Sequence, residues 1–203
     1  MTGQKEAWDS FYRMNDRPWR GVSEIRDMDF PAGSMVLEIG CGNGKTSAAL
    51  RRMDLKVISM DFSEAAIGMC RENDPDGDYV CADVTDLPFE NDHFDGAFAF
   101  HVLEHLTPEE MQLAVNEIRR VLKDGSAFYV KAFSTDDMRS MKGTKVDDTT
   151  VIRGNGIRYH YFTEQTLIDA LKDMECVSIV IVNEPTRFGT VRSRLESKFI
   201  IHK

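Results

Sequence analysis

The residues best suited to chemistry gather at a few points along the chain. Glu38, Gly40, Cys41, Gly42 and Gly44 form one group, Asp61 with Phe62 a second, Asp83 with Val84 a third, and Phe100, His101, Glu104 and His105 a fourth. Tyr159 and His160 follow farther on. From Met35 to Thr46 an apolar run reaches an acid and then glycines at alternate positions. Those glycines allow backbone angles closed to other residues and let a ligand approach the main chain. A helix from about Lys45 to Met53 would aim its free amide groups at the same turn. A phosphate-cradling loop, Gly-x-x-x-x-Gly-Lys-Ser/Thr, is excluded because Ile39 stands where its first glycine belongs. The dinucleotide pattern Gly-x-Gly-x-x-Gly fails at Lys45. His101 and His105 could share a metal only on a helix. Pro108 follows too soon, and Glu104 is misplaced for His-Glu-x-x-His, so no metal site is expected. His101, Tyr159 and His160 are the candidate general bases, an imidazole being suited by its ordinary pKa of about 6.5; residues 159–162 equally fit packed aromatics.

The positioning elements follow from pattern. Residues 35–39, Lys56 to Asp61, Asp78 to Asp83, Phe94 to Phe100 and Ala127 to Phe133 read as apolar strands. Between them lie helices over Ser63 to Asn73, with Ser63 as N-cap, and from Thr107-Pro108-Glu109-Glu110, a capping box, to Lys123. Residues 134–158 are polar and too long for an ordinary connection, hence a functional loop or a locally disordered one. Thr163 caps a helix to Met174, and Val177 to Val182 and Lys198 to His202 form a final antiparallel pair. The expected fold class is α/β, a three-layer sandwich: a seven-stranded, mostly parallel sheet with an antiparallel last strand and helices on both faces. Trp8, Phe11 and Tyr12 share one face of a short N-terminal helix, which either caps the sheet or forms a lid.

At 203 residues the chain can bury a full core as a single domain, 1–203, with 1–30 as lid or cap and 134–162 as substrate loop. The four cysteines lack paired spacing and read as reduced thiols. Without a leader-like start or an apolar run near the roughly 18 residues of a membrane span, a soluble cytoplasmic protein with no membrane partner is expected. A net charge of -9 argues against nucleic acid, although a local basic patch could override it.

The series Glu38 to Gly44, Asp61, Cys81-Ala82-Asp83-Val84, Asp86-Leu87-Pro88-Phe89 and Phe94-Asp95, followed by residues 100–106, resembles the class I S-adenosylmethionine (SAM) methyltransferases, of the methyltransferase-domain 11/25 type, over about residues 30–203. The resemblance implies a seven-stranded Rossmann-like fold and SAM as cofactor, with S-adenosylhomocysteine as product. It implies a cofactor site of Glu38, Gly40, Cys41, Gly42, Gly44, Asp61, Phe62, Asp83, Val84, Phe100 and His101, with Glu38 either touching the cofactor or holding the glycine turn or a bound water, and Cys41 a small filler whose backbone matters more than its thiol. In it Asp61 takes the ribose hydroxyls, Phe62 covers the adenine, Asp83 and the amide of Val84 read the adenine edge, and the main chain near Phe100 or His101 takes the methionine ammonium.

Trp8-Asp9-x-x-Tyr12 and Pro18-Trp19 are similar to the small-molecule branch that includes tellurite-resistance and thiopurine methyltransferases. The leading expectation is accordingly a transfer by in-line displacement to a small-molecule acceptor. Residues 40–45 and 158–162 are instead similar to tRNA wobble-uridine methyltransferases, with Arg187, Arg192 and Arg194 as possible phosphate contacts, a reading the acidic total disfavours. A non-catalytic SAM-binding module is a further alternative.

Overall fold

Buried, apolar strands alternate with one-faced helices, and a layered sheet is the arrangement that buries both. The computed structural model describes residues 2–15, 18, 23, 25, 28–186 and 189–203; Trp19 and Arg187 lie outside them. Helix α1 (Thr2–Met14) is followed by β1 (Met35–Ile39), α2 (Lys45–Arg51), β2 (Lys56–Asp61), α3 (Glu64–Asn73), β3 (Asp78–Cys81) and β4 (Phe94–Phe100). Then come a 3₁₀ turn (Leu103–His105), α4 (Pro108–Val121) and β5 (Leu122–Phe133). The chain closes with β6 (Thr144–Lys145), β7 (Thr150–Ile152), β8 (Arg158–His160), α5 (Glu164–Ala170), β9 (Glu175–Pro185) and β10 (Val191–Ile200).

The main sheet is seven-stranded in the order β3-β2-β1-β4-β5-β10-β9. Its first five strands pair in parallel, and β10 inserts antiparallel between β5 and β9. On one face α4 and α5 bury Met111, Ala114, Val115, Ile118, Leu167 and Leu171 against Leu37, Ile39, Ala97, Phe128 and Leu195. On the other, Leu50 of α2 packs with Val36, Val57, Phe98 and Tyr129. The Thr107 capping box is formed in full, each partner satisfying an amide at the start of α4. Among the described residues no helix is long and apolar enough to cross a membrane.

Several boundaries differ from expectation. The helix expected to reach Lys123 ends at Val121, because Leu122 is fully buried in an extended conformation and pairs with Phe94 at the start of β5. Helix α5 stops at Ala170, where a turn carries Leu171 and Met174 into the core. Residues 134–158, expected as an irregular loop, contain a second, three-stranded antiparallel sheet with β8. Its strands, of two or three residues, are too short to carry a readable alternation.

Candidate functional site

The chain runs outward from β1 to β2 and β3, then returns to β4 on the other side of β1, so the carboxyl ends of β1 and β4 flank the point where strand order reverses. Crevices form there because the two connections leave in opposite directions. A cleft opens at this point, lined among others by Gly40, Asp61, Phe62, Asp83, Val84 and His101.

Gly40 has φ 72°, and a Cβ there would lie 2.3 Å from Val102 Cγ2. Only glycine keeps this turn open. Asp61 ends β2 and is buried. Its Oδ2 accepts the Gly42 amide at 2.9 Å and its Oδ1 the Ser63 amide at 3.0 Å. Burial nevertheless raises its pKa to about 6, the two amides opposing the shift. Each carboxylate oxygen has a further lone pair, so the group can still accept hydroxyls. Asp83 Oδ1 accepts from the amide and hydroxyl of Thr85 at 2.9 and 2.8 Å, which fixes the carboxylate at the end of β3. An acid for a diol, a second acid near an apolar slot of Phe62, Ala82 and Val84, and a glycine wall with no room for a side chain fit an adenosine-bearing cofactor.

The other expected residues lie as follows. Glu38 is buried away from the cleft lining; its Oε2 accepts hydrogen bonds from Ser47 and from Ser59, the latter at 2.7 Å, and burial raises its pKa to about 7. Cys41 packs with Ile67, Cys70 and Tyr79, its Sγ 3.9 Å from that of Cys70. Gly44, in the left-handed region, precedes α2. Phe100 turns its ring to the α2 face, under Lys131 Nζ at 4.9 Å. His160 lies outside the cleft lining, bonded through Nδ1 to Thr150 Oγ1 at 2.9 Å. Tyr159 is buried against His105, and Arg153 lies over its ring at 3.9 Å. Of the expected bases, His101 alone lines the cleft. It takes a left-handed φ of 62°, stacks on Phe133 at 4.4 Å and bonds through Nδ1 to Glu104 Oε1 at 2.9 Å. Glu104 is fully buried and its Oε2 has no partner among the described residues.

Further cleft residues come from far along the chain. Trp8, Tyr12, Gln4 and His105 complete the lining. Gln4 clasps the β7–β8 turn, donating to Gly156 O and accepting from Arg158 N, both at 3.0 Å. His105 Nδ1 lies 2.6 Å from the carbonyl of Arg158, and since a carbonyl only accepts, Nδ1 carries the proton. Burial lowers the pKa of His105, leaving a neutral ring with Nε2 as an acceptor. Nothing in the local sequence signals the Gln4 clasp; the Glu104–His101 spacing was visible, but as a rejected metal pattern.

Residues 37–130 match the family model described as Methyltransferase domain. The chain is 27% identical to the tRNA N(3)-methylcytidine methyltransferase trm140 of Schizosaccharomyces pombe, over 98% of this chain and 75% of that protein. It is 31% identical to the demethylmenaquinone methyltransferase of Clavibacter sepedonicus, over 81% of this chain and 69% of that one. Among solved structures, a SAM-dependent methyltransferase from Methanosarcina mazei superposes with a TM-score of 0.76 at 20% identity, covering 85% of this chain and 94% of its own. Six further relatives, among them METTL2 of Mus musculus and METTL2B of Homo sapiens, also bear tRNA N(3)-cytidine or N(3)-methylcytidine methyltransferase names, and this chain spans 42–60% of their length. These relatives overturn two expectations, a small-molecule acceptor and the weighing of net charge against RNA. The physical error lay in the second: the total of -9 sums the whole surface, whereas a polyanion senses only the face it meets.

Proposed function

This chain belongs to the methyltransferase-domain family of class I SAM-dependent enzymes, and on that premise we propose that its acceptor is a transfer RNA, methylated at N3 of a cytidine. The observation that carries the reading is the similarity to the fission-yeast tRNA N(3)-methylcytidine enzyme along nearly the whole chain. The methyl donor is SAM, whose sulfonium supplies an already activated methyl group, and S-adenosylhomocysteine is the product.

Gly40, Asp61, Phe62, Asp83 and Val84 would hold the donor, and the wall of Trp8, Tyr12, His101 and His105 would receive the base. N3 of cytosine carries an in-plane lone pair and no proton, so transfer asks for alignment and water exclusion more than for a base. Alignment can contribute about 7–11 kcal/mol. The acceptor Nε2 of His105 complements the cytosine amino group and opposes O4 of uracil, which favours cytidine over a uridine. A base buried in a duplex cannot reach such a cleft, so the target is an unpaired or extruded nucleotide. Free thiols at all four cysteines fit a cytoplasmic setting for this reaction.

The test is incubation with methyl-labelled SAM and unmodified tRNA, followed by digestion and mass analysis of the nucleosides. The expected product is 3-methylcytidine. Label in a uridine derivative would overturn the base assignment, and no label in tRNA would overturn the substrate.

A further inference from the structure

We propose that the charged face of β10, continued by Lys131 of β5 and Lys45 of α2, is the docking surface for the phosphate backbone of the RNA, an inference that rests on the RNA reading above. Arg192, Arg194, Glu196 and Lys198 alternate along β10 and share one face, while Ser193, Leu195, Ser197 and Phe199 between them are buried. Register sets Lys131 opposite Glu196, Tyr129 opposite Lys198 and Glu184 of β9 opposite Arg192. Lys131 Nζ pairs with Glu196 Oε1 at 2.7 Å and Arg194 with Glu184 at 3.3 Å. Lys198 Nζ lies 5.7 Å from the centroid of the Tyr129 ring.

Lys45 joins this group from the glycine turn. Its ammonium is held below the usual lysine range by burial and then by the charges of Arg194 and Lys131, with Glu184 acting in the opposite sense. Lys45, Arg192 and Lys198 form no ion pair among the described residues, so Glu184 and Glu196 leave the surface clearly positive on a chain of net charge -9. Val180, opposite Glu196, is 53% exposed, and Leu167 of α5 and Leu171 in the turn after it pack with Leu195 and Phe199 on the other side of the sheet.

The location ties this surface to the cleft. Arg194 is opposite Phe133, whose ring stacks on His101, and the His101 amide donates to Lys131 O at 2.7 Å. Arg192 and Arg194 stand ~6.8 Å apart along the strand and Lys198 follows beyond Glu196, so the charges form an extended row rather than a pocket for one anion. A net-positive row leading from the cleft, with Arg192 and Lys198 outside any ion pair among the described residues, fits a polyanion such as the RNA proposed above.

The experiment compares the full chain with Arg192→Gln/Lys198→Gln, two sites without ion pairs, and with the exposed single variant Arg192→Glu. Binding of labelled total tRNA is measured by filter retention between about 50 and 200 mM salt. The double variant is expected to reduce the slope of log affinity against log salt by roughly 1–2 and to weaken low-salt binding about tenfold. SAM affinity by calorimetry should stay unchanged, and methyl transfer should recover at saturating tRNA. If the double variant folds poorly, Arg192→Glu alone must weaken binding. A wild type that binds and methylates tRNA, with variants matching its slope and affinity, would overturn this surface and leave the function standing. A wild type that shows no salt-dependent binding and methylates no tRNA would overturn both.

Discussion

The wall proposed for the methyl donor and the wall proposed for the acceptor are built on different principles. The donor wall comes from the ends of adjacent parallel strands, and its decisive contact, Gly42 amide to Asp61, links two neighbouring strand–helix turns. The acceptor wall is stitched from distant pieces: Gln4 of α1 to Arg158, and His105 to the carbonyl of the same residue. Arg158 also donates from its guanidinium to Leu106 O. One wall is a property of the sheet, and the other of how peripheral segments close over it. A fixed donor site beside a variable acceptor site is the arrangement by which one fold serves many substrates.

The largest expected effect is on the donor wall. Asp61→Ala removes charge-assisted hydrogen bonds worth about 1.5–3 kcal/mol, so SAM affinity by calorimetry should fall about 100-fold. Unchanged affinity would break the distinction between the walls. A smaller effect is expected across the cleft. Glu104→Ala should lower the rate of methyl transfer to tRNA about tenfold in single-turnover assays while leaving SAM affinity within about twofold, because it frees His101 without touching the donor site. Glu104→Gln, whose amide oxygen can still accept from Nδ1, should retain most of the rate; equal losses in SAM affinity would blur the walls into one.

The smallest effect concerns Glu38, which supports the donor turn from below. Its folded pKa of about 7 lies above the ordinary 4.5, so the folded chain keeps a proton that the unfolded chain releases. Its contribution is full below about pH 4.5 and is lost as pH rises toward about 7. Glu38→Gln should therefore flatten the decline in stability across that window, by on the order of 1 kcal/mol in urea denaturation at pH 8 relative to pH 5. A wild-type stability that rises with pH there, with the variant following it, would remove Glu38 from this role.

Legibility followed the same division. Strands β2 and β4, the Ser63 cap, the Thr107 capping box and the antiparallel final pair could all be read, since each is specified by residues near one another in sequence. Gly40 and Asp61 stood out for the same reason. For Glu38 both cofactor contact and support of the glycine turn stayed open, because alternation along a strand buried on both faces gives no solvent side to orient it. Tyr159 and His160 looked equally available, yet β8 carries neither into the cleft lining.

Local spacing thus determined the doubly covered parallel sheet, the glycine turn and the acid that ends β2, since backbone geometry and short-range capping demand those residues there. Only the tertiary structure decided that α1 and β7–β8 meet over His105, that Glu104 backs His101, and that the cations of β10 gather on one face. Those outcomes depend on contacts between segments as far apart as Gln4 and Arg158, and on strand register, which set where charges and rings converge.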